Sequence, residues 1–317
     1  MPVTLNRLLP MGMVLTIVMV LTTSLSYGVA AESRQPDTAP VPLNWHKLEL
    51  RNSGVTGSVA TRIELKKYSA AEVRSTLVDA PQPMSQRQAG TRILVLEVNN
   101  SIRLLLGARI ERQSRLLFNE SDGLPLQLMR VRRGNKPSQK LYRFGGSQVY
   151  RQRRQPADSA ESGQPAEHWS NISDTFYPLP DAEDDCEVIL ESSQLLYLIS
   201  RPDTEPGDSR GVFCVFHRQR VYRVESRVLG REPLDVDYLQ LDAGQETRVK
   251  RTLEALHVTL TGRPLDGAPS DVQPFSLLGL QDDIHLLLSD PGRIPLRVHG
   301  QVPGFGMIDL ELRELTR

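Results

Sequence analysis

The sequence predicts a mostly β protein: a meandering antiparallel sheet, curved or partly closed into a barrel or sandwich, with one or two short helices. Three observations carry this reading. Apolar residues recur at every second position in many segments, glycine and proline turns separate those segments, and only two stretches have helical character.

Ile102, Leu104, Leu106, Ala108 and Ile110 alternate with Arg103, Leu105, Gly107, Arg109 and Glu111, and the run reads as one strand. Tyr222, Val224 and Val228 alternate with Arg223, Glu225 and Arg227, while Ile308, Leu310 and Leu312 alternate with Asp309, Glu311 and Arg313. A strand of this kind has one wet face and one packed face, so the sheet must curl on itself or be covered by a helix. Further strands are expected near 45–50, 58–65, 93–98, 124–132, 140–144, 212–216, 256–260, 284–288 and 295–298. Ser121-Asp122-Gly123 and Asp290-Pro291-Gly292 are turn sequences. The helices are expected over 69–78 and 192–200, the second with Ser192 as N-cap and Pro202 as the stop.

The start of the chain predicts export. Arg7 is the sole charge in the first 31 residues, and an apolar run follows from Met11 to Leu21. Val29 and Ala31 occupy the −3 and −1 positions of a signal peptidase site, so cleavage is expected between Ala31 and Glu32. The apolar core is about 11 residues, short of the roughly 20 that span a bilayer as a helix, which argues against an uncleaved anchor. No cysteine lies near that site to carry a lipid. The expected compartment is the bacterial periplasm, with a mature protein that does not span the membrane.

Residues 32–43 are proline-rich and polar and read as a disordered leader. Residues 152–171 read as a flexible linker between an N-terminal β half (44–151) and a C-terminal β half (172–317). The two cysteines, Cys186 and Cys214, form no CxxC. An even count in an oxidising compartment predicts a disulfide, the alternative being two buried thiols.

Net charge is zero over 317 residues, yet it is unevenly spread. Between Arg87 and Arg154, 15 Lys and Arg stand against four acids, whereas Gln155 to Glu191 holds ten acids and no Lys or Arg. Adjacent blocks of opposite sign are ordinarily solvated faces that attract each other. The sharper reading is a face for an anionic ligand, built from Arg130, Arg132 and Arg133 with Arg151, Arg153 and Arg154. Arg130 and Arg132, two apart on a strand, point to one side. Nucleic acid is a poor partner for an exported chain with so few aromatics here. An envelope lipid, an acidic glycan or a protein fits better.

The six histidines show no HxH or HExxH spacing; His285 and His299 can meet across strands, but two ligands make no metal site. Asp181, Glu183, Asp184, Asp185 and Glu187 lack the EF-hand spacing. Gly304-Phe305-Gly306 lacks the third glycine of a dinucleotide loop, and no nucleophile elbow or phosphate loop occurs. No catalytic, cofactor or metal residue is therefore assigned. The expected function is a non-catalytic binding or scaffolding protein of the envelope, holding a lipid, glycan or protein on a concave apolar face. The alternative is an envelope hydrolase with carboxylates placed on the sheet.

Several short segments also carry a resemblance. They are Tyr177-Pro178-Leu179-Pro180, then Ser193-Gln194-Leu195-Leu196-Tyr197-Leu198-Ile199-Ser200-Arg201, then the strand from Val221 to Glu232 closing on Gly230-Arg231-Glu232. Ile284 to Val298, with its Ser289-Asp290 and Arg293, and a last strand from Gly306 to Leu315 complete the set. In this order they resemble a family of exported bacterial proteins known only as domain of unknown function 3108. The N-terminal half resembles it in outline only, from Leu117-Phe118-Asn119 to Leu128. Leu234-Asp235-Val236-Asp237-Tyr238 replaces the family's Pro-Ala-Gly-Thr-Phe segment, and the charge blocks have no counterpart there. The resemblance implies an exported, mostly β protein and supplies no catalytic residues.

Overall fold

The computed structural model describes residues 43–317 except 55–56, 83, 105–108, 181–185, 187, 202–210 and 270–272. The expected signal peptide and its Ala31–Glu32 site, the acidic residues Asp181, Glu183, Asp184, Asp185 and Glu187, and Pro202 lie outside the described residues.

Among the described residues, sixteen strands form one sheet. The N-terminal part is a run of antiparallel neighbours: β1 (Lys47–Gly54), β2 (Gly57–Ser69), β3 (Arg92–Leu104), β4 (Arg109–Asn119), β5 (Pro125–Arg133), β6 (Ser138–Phe144), β7 (Gln148–Gln155) and β8 (Asn171–Pro178). The C-terminal part holds β9 (Ile189–Glu191), β10 (Gly211–His217), β11 (Arg220–Asp242), β12 (Gln245–Pro264), β13 (Ser276–Leu277), β14 (Leu280–Ser289), β15 (Pro295–Val302) and β16 (Gly306–Thr316). β1 pairs with β16, so the two parts are a single sheet. Two pairings are parallel, β9 with β10 and β11 with β16.

The sheet curls because β11 is bent. At about 3.3 Å per residue a straight strand of 23 residues would be roughly 75 Å long. A bulge between Val228 and Gly230 breaks its register against β12, and Gly230 takes φ +147° there. One end of β11 then pairs with β10 and the other with β16, making a partial ring through β12, β14, β15 and β16.

The free end of this curl folds back onto the N-terminal strands. β9, β10 and helix α3 (Gln194–Ile199) cover the apolar part of their concave face. Phe118 meets Tyr197 edge-on at 5.3 Å, and Phe216 packs against both Tyr142 and Phe144 at 6.0 Å. Arg87 Nη1 donates to the Ile189 carbonyl at 3.3 Å and Gln194 Nε2 to the Gly123 carbonyl at 2.8 Å. The concave apolar face is thus largely the core of the protein itself. A smaller cluster on the outer side, Val73 with Ile93, Val95, Leu117 and Leu126, lies under helix α1 (Ala70–Val73).

Several expected elements change in detail. The run from Ile102 to Glu111 is two strands, since Ile102 sits opposite Ile110 in the β3–β4 pair. Residues opposite each other in an antiparallel pair share a face, so a period-two pattern does not show where one strand ends; Leu105, Leu106, Gly107 and Ala108 lie outside the described residues. The helix expected over 69–78 is α1 plus a 3-10 turn at Arg74–Thr76, started by a capping box in which Ser69 and Glu72 satisfy each other's amides. Ser193, not Ser192, occupies the N-cap position of α3, and its side chain makes no capping bond because its hydroxyl, like that of Ser192, is engaged by Glu191. The stretch 152–171 continues β7 to Gln155, passes a short helix α2 (Ser159–Ser162) and returns as β8, the neighbour of β7. Glu161 ties it down by accepting from the Ala157 and Ser170 amides. Cys186 and Cys214 form the expected disulfide, with Cα atoms 5.5 Å apart.

Candidate functional site

The concave face changes character along the strands. Where α3 and β10 cover it, the inward residues are Leu94, Leu116, Phe118, Tyr142 and Phe144. Continuing along β4 to β7 past that cover, the same inward positions become cationic. Arg130 on β5 faces Lys140 on β6, which faces Arg153 on β7, while Arg112 on β4 faces Arg132 on β5. Residues opposite each other across a ladder lie about 4.5–5.5 Å apart at Cβ. These five charges are therefore crowded by backbone register alone.

They line a cavity of about 680 Å³. Lys136, from the turn between β5 and β6, and Arg218, from the turn between β10 and β11, add two more cations to its wall. Asn100, Ser114, Ser138 and Gln155 contribute neutral polar groups, and no Asp or Glu is among the described lining residues. On the outer face, by contrast, Glu97 takes both Lys66 and Arg115. Arg132 and Arg153 each keep a buried Nε–H with no acceptor among the described residues.

The crowding shows in Lys140. Burial, and then the charges of Arg153, Arg130, Arg151 and Arg132, push its pKa down to about 8. Like charges held together at this spacing stay together only because the β ladder and the core beside them fix the backbone.

Of the six arginines read from the sequence, Arg130, Arg132 and Arg153 line the cavity. Arg151 shares their face but is held against the wall, donating to Thr175 Oγ1 at 2.9 Å with its guanidinium 5.4 Å from the Tyr177 ring centre. Arg133 and Arg154 follow on the opposite face, where Arg154 bonds the Glu167 carbonyl and Gln152. Arg112, Lys136, Lys140 and Arg218 were not legible as part of the group. Lys140 was the most accessible of them, since it sits two residues before the inward Tyr142.

The cavity wall beneath α3 holds a buried polar chain. The Glu191 side chain, 1 % exposed, pairs with Arg130 at 2.5 Å. It also accepts from the Ser192 hydroxyl at 2.9 Å and from the Ser193 amide at 2.8 Å, and the Ser193 hydroxyl bonds it as well. His217 Nδ1 lies 3.2 Å from Ser192 Oγ, and His217 Nε2 lies 3.1 Å from Ser276 Oγ. Burial, then Arg130 and Arg218, hold the pKa of His217 well below the ordinary histidine range, so it is neutral at pH 7.

His257, His285 and His299 form a separate group on β12, β14 and β15. His285 and His299 are opposite each other, His257 Nε2 is 2.7 Å from His285 Nδ1, and His299 pairs with Asp309. Among the described residues no group of three or more His, Cys, Asp or Glu is arranged to hold a metal ion. No described helix is long and apolar enough to cross a membrane.

No family model fits the chain, and no curated protein or solved structure is similar to it. The cationic cavity must be interpreted from its own chemistry.

Proposed function

We propose that this protein is an exported binding protein of the bacterial envelope whose ligand is a polyanion: a glycan or lipid headgroup bearing several phosphate, sulfate or carboxylate groups. One observation carries the reading. Seven Lys and Arg line a single cavity with no Asp or Glu among its described lining residues, Arg130 being paired to Glu191 buried behind them. Gathering like charges disfavours the empty fold, and an anionic ligand reverses the sign of that energy. The concave apolar face, the first place to seek a lipid, is occupied by α3 and β10, so acyl chains have no comparable room there. The apolar run of the first 31 residues and the disulfide agree with an oxidising compartment outside the cytoplasm.

Calorimetry on the purified protein tests this with inositol hexakisphosphate, a heparin-derived tetrasaccharide and neutral maltotetraose. The anionic probes should bind and the neutral one should not, with affinity falling as salt rises. Arg132→Glu with Arg153→Glu should weaken binding by about tenfold or more, equivalent to about 1.4 kcal/mol. Equal binding of maltotetraose, or an unchanged affinity in the double variant, would reject the reading.

A further inference from the structure

The buried chain from Glu191 to Ser276 opens on the same cavity, and its hydrogen bonds leave one arrangement of protons. Ser192 spends its hydroxyl hydrogen on Glu191, so toward His217 it can only accept. His217 Nδ1 must then carry the hydrogen, and the lone pair of the neutral ring falls on Nε2, facing Ser276 Oγ. Carboxylate, oriented imidazole and hydroxyl stand in the order that activates a serine, with Ser192 inserted between acid and base. Tyr222 and Phe275 both pack edge-on against the His217 ring and fix its plane.

A second feature lies beside Ser276. The turn from β13 to β14 is Leu278-Gly279, with φ of +54° and +94°. Both central residues of such a turn are left-handed, a conformation suited to Asn-Gly and strained for leucine. Asn100 Nδ2, 3.4 Å from the Leu278 carbonyl, lies across the cavity from β3. Leu278, Gly279, Ser276, His217 and Ser192 all line the cavity.

We propose that Ser276 is a nucleophile and His217 its general base, cleaving a carboxylic ester carried by the anionic ligand. Ser276 Oγ attacks the ester carbonyl carbon as its proton passes to His217 Nε2. The alkoxide leaves with that proton, giving an acyl-serine and an alcohol. Water then attacks the acyl-serine, again yielding its proton to Nε2, and the proton returns to Ser276 as the carboxylic acid departs. The net reaction is ester plus water to acid plus alcohol, and no co-reactant is required. Arg130 and Arg218 line the same cavity as Ser276 and supply positive charge for the developing oxyanion. Glu191 and Ser192 are positioning residues. The substrate class rests on the polyanion reading, whereas the nucleophile does not.

A fluorophosphonate probe followed by peptide mass spectrometry tests the two separately. The purified protein should gain one phosphonyl adduct, on Ser276, with a rate that rises with pH as His217 loses its proton. His217→Gln should slow labelling by about 100-fold or more. Ser192→Ala should slow it and Ser192→Thr should restore it, a pattern that packing alone would not produce. Labelling that inositol hexakisphosphate slows supports both nucleophile and substrate class. Labelling that it leaves unchanged supports the nucleophile and removes the polyanionic substrate. An unlabelled Ser276 in the folded wild-type protein, or His217→Gln labelled as fast as wild type, overturns the proposal even if the polyanion binds.

Discussion

Arg130 and Glu191 pair at 2.5 Å across the seam where the end of the sheet folds back onto β5. The carboxylate is 1 % exposed and the arginine side chain 31 %, so the two ends of the pair are not equivalent. Glu191 belongs to the core, whereas Arg130 reaches into the cavity.

Arg130→Ala should therefore destabilise the fold by about 3–5 kcal/mol, because it leaves a buried carboxylate without its charge partner. Arg132→Ala, on the same strand and face, should be neutral or slightly stabilising, since it removes a cation crowded by others. Urea denaturation of the two variants decides the matter. Equal effects would mean that the Arg130–Glu191 pair does not hold the seam.

Lys140 makes stability depend on pH in a window set by its depressed pKa. The folded value is about 8, below the 10.5 of an unperturbed lysine. Between those values the unfolded chain holds more protons than the folded one, so the contribution of Lys140 to stability rises with pH. Below pH 8 the ammonium is charged in both states and its cost to the fold is greatest. Lys140→Met should stabilise the protein at pH 7, and that advantage should shrink steadily from pH 8 to 10.5. Thermal melts of both proteins across this range check it; a constant difference would show that Lys140 is not depressed.

Leu310 and Glu311 are neighbours on β16 with opposite surroundings. Leu310 is fully buried, while Glu311 pairs at the surface with Arg297 and Arg313. Leu310→Ala should cost about 2–5 kcal/mol, and Glu311→Ala no more than about 1. Similar shifts in melting temperature for the two would contradict the assigned faces of β16.

Strand faces were readable wherever an alternating run lay within one strand, as Ile308, Leu310 and Leu312 do, all inward on β16. The Ile102–Ile110 alternation misled because residues facing each other across a hairpin share a face, as residues two apart do. The disulfide was legible from the expected compartment and from count, since only two cysteines exist to be paired. The basic block was legible as charge but only partly as geometry. Alternation joins Arg130 to Arg132, but only the register of β4 to β7 brings in Arg112 and Lys140.

By itself the sequence determined the fold class, the faces of its longer strands and the cysteine pair, because each depends on local periodicity or on simple counting. Tertiary structure alone decided which part of the concave face is filled and which is open. The bend in β11 at Gly230 and the return of α3 across the sheet fill the apolar end and leave the cationic end open. That same return places Ser192, His217 and Ser276, 25 and 59 residues apart along the chain, in one hydrogen-bonded row. No period in the sequence reports such a meeting, because side chains that far apart are brought together by packing and not by the spacing of a strand or helix.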